Sequence, residues 1–251
     1  MKKFLSVLFV FVLALACVAC DNTPNVSEGE NNSNVSTEAG DESVTDNSEA
    51  EVKVMTYAAF VAAELDTLVC VETYVQAKQS WWENKGTFYT QNEEGAYFLY
   101  DMPCTEEEYN ALTVGTKIRV TGYKAEWSGE VEITEAKFEV LEGSYVAEPI
   151  DVTDLLGTDE LIEKQNMYVS FNDLTIEKIE YKNGEAGDDI YVTVSKDGAE
   201  YSFCVERYLT APDTDVYKAF AELTQGDVVD IEGFLYWYNG VNTHITSVAK
   251  N

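Results

Sequence analysis

Leu112-Thr113-Val114-Gly115-Thr116-Lys117-Ile118-Arg119-Val120-Thr121-Gly122-Tyr123 recurs as Leu223-Thr224-Gln225-Gly226-Asp227-Val228-Val229-Asp230-Ile231-Glu232-Gly233-Phe234, at a constant offset of 111 residues. Ser128-Gly129 and Asn239-Gly240 keep that offset, and Ile133-Thr134 matches Ile245-Thr246 after one residue of slippage. Repeated sequence marks repeated folding units, and a spacing this long makes two domains rather than a stacked array. The boundary falls near Ala147 to Pro149, which gives domains at 52–148 and 149–251.

Working outward from the repeat, each copy yields the same run of elements. In the first, Thr56 to Leu65 reads as a short helix and Thr67 to Trp82 as a long strand. Thr87 to Gln91 and Ala96 to Tyr100 flank the turn at Asn92-Glu93-Glu94-Gly95. Thr105 with Glu108 forms a capping box that opens a helix to Leu112, and its acids suit the positive helix N-terminus. Lys117 to Lys124 and Val131 to Val140 form a hairpin across Ser128-Gly129. The second copy offers strands at Met167 to Glu180, Ile190 to Ser195, Glu200 to Val205, Val228 to Tyr236 and His244 to Ala249, with a helix around Asp215 to Leu223. Lys196-Asp197-Gly198 and Asn239-Gly240 supply turns.

Three strands, a helix and two strands, with one glycine before the fourth strand and another inside it, resemble the OB-fold, a five-stranded Greek-key barrel with a helix between strands three and four. The expected class is therefore mainly β, with two tandem barrels over Thr56 to Asn251. The fold implies a ligand face on strands two and three, bordered by the loop after strand one and the loop between strands four and five. In the first domain those regions hold Trp81, Trp82, Phe88, Tyr89, Tyr97, Tyr100 and Trp127. In the second they hold Tyr181, Tyr191, Tyr201, Tyr236, Trp237 and Tyr238. Rings at loop tips are the stronger candidates for stacking a sugar, base or peptide side chain, because a barrel interior needs none there, and Trp81, Trp82 and Trp127 are favoured as one patch over the Tyr236 to Tyr238 run. Strand aromatics alternate faces, and about half of them fill a small barrel.

The N-terminus reads as an export signal. Lys2 and Lys3 precede an apolar run from Phe4 to Ala16, and Leu15-Ala16-Cys17-Val18-Ala19-Cys20 resembles a bacterial lipobox. Cys20 is the expected acylation site because Ala19 precedes it and a polar tract follows; Cys17, standing where that motif usually has leucine, is the alternative. Residues 21–51 contain nine acids, no base and no aromatic residue, the composition of a disordered spacer. The expected location is the outer face of a cell membrane, held by acyl chains.

Charge bounds the partners. The 251 residues carry 46 acids and 16 Lys plus Arg, a net charge of −30. The first domain has 17 acids against 7 bases and the second 20 against 7. Phosphate backbones are bound chiefly through Lys and Arg, so nucleic acid is disfavoured on both domains. A neutral glycan, a peptide or a cationic surface protein suits the field better.

Catalytic signatures are sparse. His244 is the only histidine, with no nucleophile motif around it, and is expected as a partly exposed strand residue. Acids are too abundant for any one pair to single out a carboxylate hydrolase. Gly184-Glu185-Ala186-Gly187-Asp188-Asp189 lacks the ligand spacing of a calcium loop and reads as a solvated turn. No cofactor or metal is expected. Cys70, Cys104 and Cys204 are an odd set best read as buried thiols, although export would permit a bridge between Cys70 and Cys104. As a whole the chain resembles the OB-fold-containing lipoproteins of gut-dwelling Firmicutes. That resemblance implies a non-enzymatic binding or scaffolding module, or a carbohydrate- or peptide-binding accessory of surface machinery. Single-stranded nucleic-acid binding by analogy of fold and a carboxylate-based hydrolase are the less favoured options.

Overall fold

The computed structural model describes residues 52–251; Cys17, Cys20 and the acidic segment lie outside them. Eleven strands are described. The first barrel comprises α1 (Tyr57–Ala62), β1 (Leu68–Lys78), β2 (Lys85–Gln91), β3 (Ala96–Pro103), α2 (Glu106–Ala111), β4 (Thr116–Trp127) and β5 (Glu130–Ser144). Its strands close in the order β1-β2-β3-β5-β4, with β3 and β5 parallel and every other pair antiparallel. A helix between the third and fourth strands of such a ring is the OB-fold.

The second unit repeats the order with β7 (Tyr168–Tyr181), β8 (Ile190–Lys196), β9 (Ala199–Val205), α3 (Asp215–Glu222), β10 (Val228–Phe234) and β11 (His244–Lys250). The order β10-β11-β9-β8-β7 is closed by a direct β10 to β7 pairing. One extra strand, β6 (Ile150–Asp151), adds to β7 in parallel. It precedes two 3₁₀ turns at Thr153–Leu155 and Leu161–Lys164 that sequence patterning does not reveal.

The repeated glycines have a physical cause. Gly115 and Gly226 both turn the chain with positive φ, +87° and +92°, just before the fourth strand of each barrel. Gly122 and Gly233 sit where that strand bulges against the fifth. A Cβ on Gly122 would lie 2.7 Å from the Thr134 carbonyl oxygen, and one on Gly233 would lie 2.3 Å from that of His244.

Each barrel has its own core. Val69, Val71, Phe88, Leu99, Ile118, Val120 and Ile133 fill the first; Val169, Phe171, Ile176, Val192, Phe203, Ile231 and Ile245 belong to the second. Helix α1 is fixed by Lys124, whose Nζ donates to the carbonyls of Phe60 (3.1 Å), Val61 (2.9 Å) and Ala63 (2.7 Å). Those are the carbonyls a helix C-terminus leaves unpaired. The capping box of α2 forms as its sequence predicts, with the Thr105 N–H donating to Glu108 Oε2 at 2.7 Å and the Glu108 N–H to Thr105 Oγ1 at 3.2 Å. Cys70, Cys104 and Cys204 are buried free thiols.

Candidate functional site

The barrels share a third cluster of buried side chains, in which Tyr89 and Phe98 of the first meet Phe234 of the second, with Tyr168, Leu209 and Tyr236 around them. Its origin is the alternation of β2 and β3. Phe88 and Leu99 point into the barrel, while Tyr89 and Phe98, paired in register, point outward. An outward aromatic on one barrel would be exposed, but Tyr89 stacks on Phe234 at 4.6 Å and Phe98 meets Tyr236 edge-on at 5.4 Å. The face of the first barrel on which the fold would place a ligand is therefore covered by the second.

Polar groups complete the joint. The Trp237 N–H donates to Glu130 Oε2 at 2.8 Å, the Asn239 N–H to the Ser128 carbonyl at 2.7 Å, and the Tyr168 N–H to Gln91 Oε1 at 2.8 Å. Gln165 Nε2 donates to the Gly129 carbonyl at 2.8 Å and Asn166 Nδ2 to that of Val131 at 3.1 Å. Glu130 is fully buried, and burial raises its carboxyl to about 8, so the group is a neutral acid at pH 7. Among the described residues its Oε1 has no hydrogen-bond partner.

The corresponding face of the second barrel stays open. A concavity of about 400 Å³ is lined by Asp189, Tyr191, Ser202, Cys204, Glu206, Tyr236, Tyr238, Asn242 and His244. Strands β8 and β9 supply Tyr191, Ser202 and Cys204, and the loop between β10 and β11 supplies Tyr236, Tyr238 and Asn242. Asp189 is held on both oxygens, by Lys182 Nζ at 2.8 Å and the Arg207 N–H at 3.1 Å. Glu206 Oε2 accepts the Leu209 N–H at 2.9 Å, and burial pushes its carboxyl up to about 7. His244 is 7% exposed; its ring stacks on Tyr236 at 4.2 Å, its Nδ1 meets the Tyr89 hydroxyl, and burial lowers its pKa to about 3. Trp127 extends the aromatic surface, its ring 5.2 Å from that of Tyr238, and both are about half exposed. No cluster of acids, histidines or thiols with metal-binding geometry occurs among the described residues.

The structure thus sorts the sequence candidates. Phe88 and Tyr97 lie inside the first barrel and Tyr89 in the joint, so none of the three can meet a ligand. Trp81 folds onto the first core with its Nε1 donating to the Cys104 carbonyl at 3.1 Å, while Trp82, 73% exposed, stands at the tip of the β1 to β2 hairpin. No ring contact joins Trp127 to either tryptophan among the described residues. Tyr201 and Trp237 are half-buried against the second core, and Tyr181 packs beside them. Tyr191, Tyr236 and Tyr238 do line the concavity, Trp127 lies beside Tyr238, and Tyr100 lies half exposed next to Phe98. His244 corrects its expectation: it is buried because the first barrel covers it. Glu206 and Asn242 carried no local signal, and Asp189, read from sequence as the end of a solvated turn, is buried at the site because Lys182 and the Arg207 N–H hold it there.

No family model and no curated sequence matches the chain. Several solved structures resemble it. A murine DNA-binding protein bound with double-stranded DNA has 13% identity over 72% of this chain and 96% of its own, with a TM-score of 0.37. The Ifi202 HINa domain in complex with a 20-base-pair double-stranded DNA has 12% identity over 74% and 98%, with a TM-score of 0.35. A replication protein A heterotrimer bound to single-stranded DNA has 10% identity over 73% and 49%, with a TM-score of 0.31. At these scores the fold assignment rests on the strand order of the barrels themselves.

Proposed function

We propose that the chain is a lipid-anchored extracytoplasmic binding module, acylated at Cys20, whose ligand is an uncharged glycan or peptide segment seated on the open face of the second barrel. One observation carries this reading. Tyr191, Tyr236 and Tyr238 of the second barrel line a single concavity and Trp127 of the first stands beside Tyr238 at its edge, whereas the matching face of the first barrel is buried. Aromatic faces around a polar floor suit sugar rings and peptide side chains. The first barrel then serves as a support that seals and orients the second. Nucleic acid is disfavoured by 37 acids against 14 bases over residues 52–251.

A glycan and peptide array probed with the mature protein, its Tyr238→Ala variant and its Trp127→Ala variant tests the site. The reading predicts a bound class that both variants lose. Acyl mass on Cys20 in membrane-extracted protein tests the anchor, and lipidation surviving Cys20→Ser would move it to Cys17.

A further inference from the structure

We infer that the first barrel sets the hydrogen-bonding character of the concavity in the second: Gln79 and Tyr89 hold His244 in its Nε2–H tautomer, so the floor offers one N–H donor to an uncharged ligand oxygen. This rests on the binding reading above and specifies what the site would recognise.

With Nε2 of the Gln79 amide turned toward Tyr89, the chain of donors has one assignment. Tyr89 is fully buried, and its hydroxyl has two polar neighbours, Gln79 Nε2 at 3.1 Å and His244 Nδ1. An amide NH₂ only donates, so the hydroxyl oxygen accepts from Gln79. A buried hydroxyl must place its own proton, and His244 Nδ1 is the acceptor left. Nδ1 is therefore unprotonated, and a neutral imidazole then carries its proton on Nε2. Burial, which holds the ring's pKa near 3, keeps it neutral across physiological pH.

Nε2 lies on the ring edge away from Tyr89, His244 lines the concavity, and no described residue accepts from this N–H. Tyr236, stacked at 4.2 Å and 18°, fixes the plane of the ring. The unfilled N–H suits a hydroxyl or carbonyl oxygen of an uncharged ligand.

The lone histidine makes this measurable by long-range ¹H–¹⁵N NMR on the full mature chain. Wild type is expected to show an acceptor-type Nδ1 and a protonated Nε2, unchanged from pH 5 to pH 8. Tyr89→Phe keeps the stacked ring but removes the O–H, and the expected result is a mixture of tautomers. With methyl N-acetylglucosaminide as the probe, Tyr89→Phe should weaken binding severalfold. A protonated Nδ1 in wild type, or a Tyr89→Phe spectrum identical to wild type, overturns the inference. An Nε2–H tautomer that shifts in Tyr89→Phe upholds Tyr89 as a positioning residue even where the sugar does not bind; that failure would belong to the proposed binding function.

Discussion

The Tyr89 hydroxyl of the first barrel is hydrogen-bonded to His244 Nδ1 of the second, and both side chains are buried. Neither barrel could bury these groups alone. Tyr89 isolated would be an outward aromatic on a sheet surface, and His244 would keep an unfilled nitrogen. The two barrels are therefore expected to unfold in one transition. Tyr89→Ala removes both the stack on Phe234 and the hydrogen bond, which should cost about 3–5 kcal/mol. Tyr89→Phe should cost about 1–3 kcal/mol through the unfilled nitrogen. Denaturant melts followed by tryptophan fluorescence and by far-ultraviolet circular dichroism would coincide in the wild type; separate transitions would show independent barrels.

Glu130 makes the joint sensitive to alkali. Its carboxyl is raised from the ordinary 4.5 to about 8 by burial, and that of Glu206 to about 7, so both are harder to ionise folded than unfolded. Their contribution is whole below pH 4.5, declines as pH rises through about 7 and about 8, and is lost above. Stability should fall between pH 5 and pH 9, with Glu130 alone responsible for on the order of 1–3 kcal/mol. Glu130→Gln keeps the shape without the charge and should flatten most of that slope in urea melts at pH 5, 7 and 9. An unchanged slope would show that Glu130 ionises without cost.

Gly129 is where the hairpin of the first barrel passes under Trp237. Its φ is +93°, and an added Cβ would lie 2.7 Å from Trp237 Cδ1. Gly198 has a similar φ, +85°, but open space around it. Gly129→Ala should therefore combine backbone strain with displacement of the indole and cost about 2–4 kcal/mol. Gly198→Ala should show only the strain, about 1 kcal/mol. Thermal melts of the pair separate the two effects, with a red-shifted indole emission expected for Gly129→Ala alone.

Lys124 is a buried cation with no carboxylate partner among the described residues, held by three carbonyls at the end of α1. Lys124→Met fills the same space and leaves those carbonyls unpaired. The expected loss is about 2–3 kcal/mol, roughly 4–12 °C in Tm for a unit of this size. Hydrogen exchange should rise first in residues 57–63.

The barrels were legible because their punctuation repeats. Gly115 and Gly226 mark the turn, Gly122 and Gly233 the bulge, and the alternating residues between them the strand. The joint was not legible, because alternation shows which residues share a face but not what covers it. Residues 86–91 of β2 are buried on both faces, the inner by Phe88 and its barrel, the outer by the second barrel. Local sequence reads such a strand as aromatics available to a ligand on one side. His244 was misjudged for the same reason. Local sequence favours Trp81, Trp82 and Trp127 as one patch, because it shows rings at loop tips but not which tips meet; the closure of the second barrel puts Trp127 beside Tyr238 and leaves Trp82 on a different hairpin.

The most direct test compares ligand affinity across two exposed rings. Isothermal titration of the array-identified neutral oligosaccharide or peptide into the mature protein, Tyr238→Ala and Trp82→Ala distinguishes the open face of the second barrel from the hairpin tip of the first. The expected result is a loss of about tenfold or more in Tyr238→Ala, the worth of one stacked ring, and wild-type affinity in Trp82→Ala. Binding retained in Tyr238→Ala and lost in Trp82→Ala would contradict the assignment of the site to the second barrel.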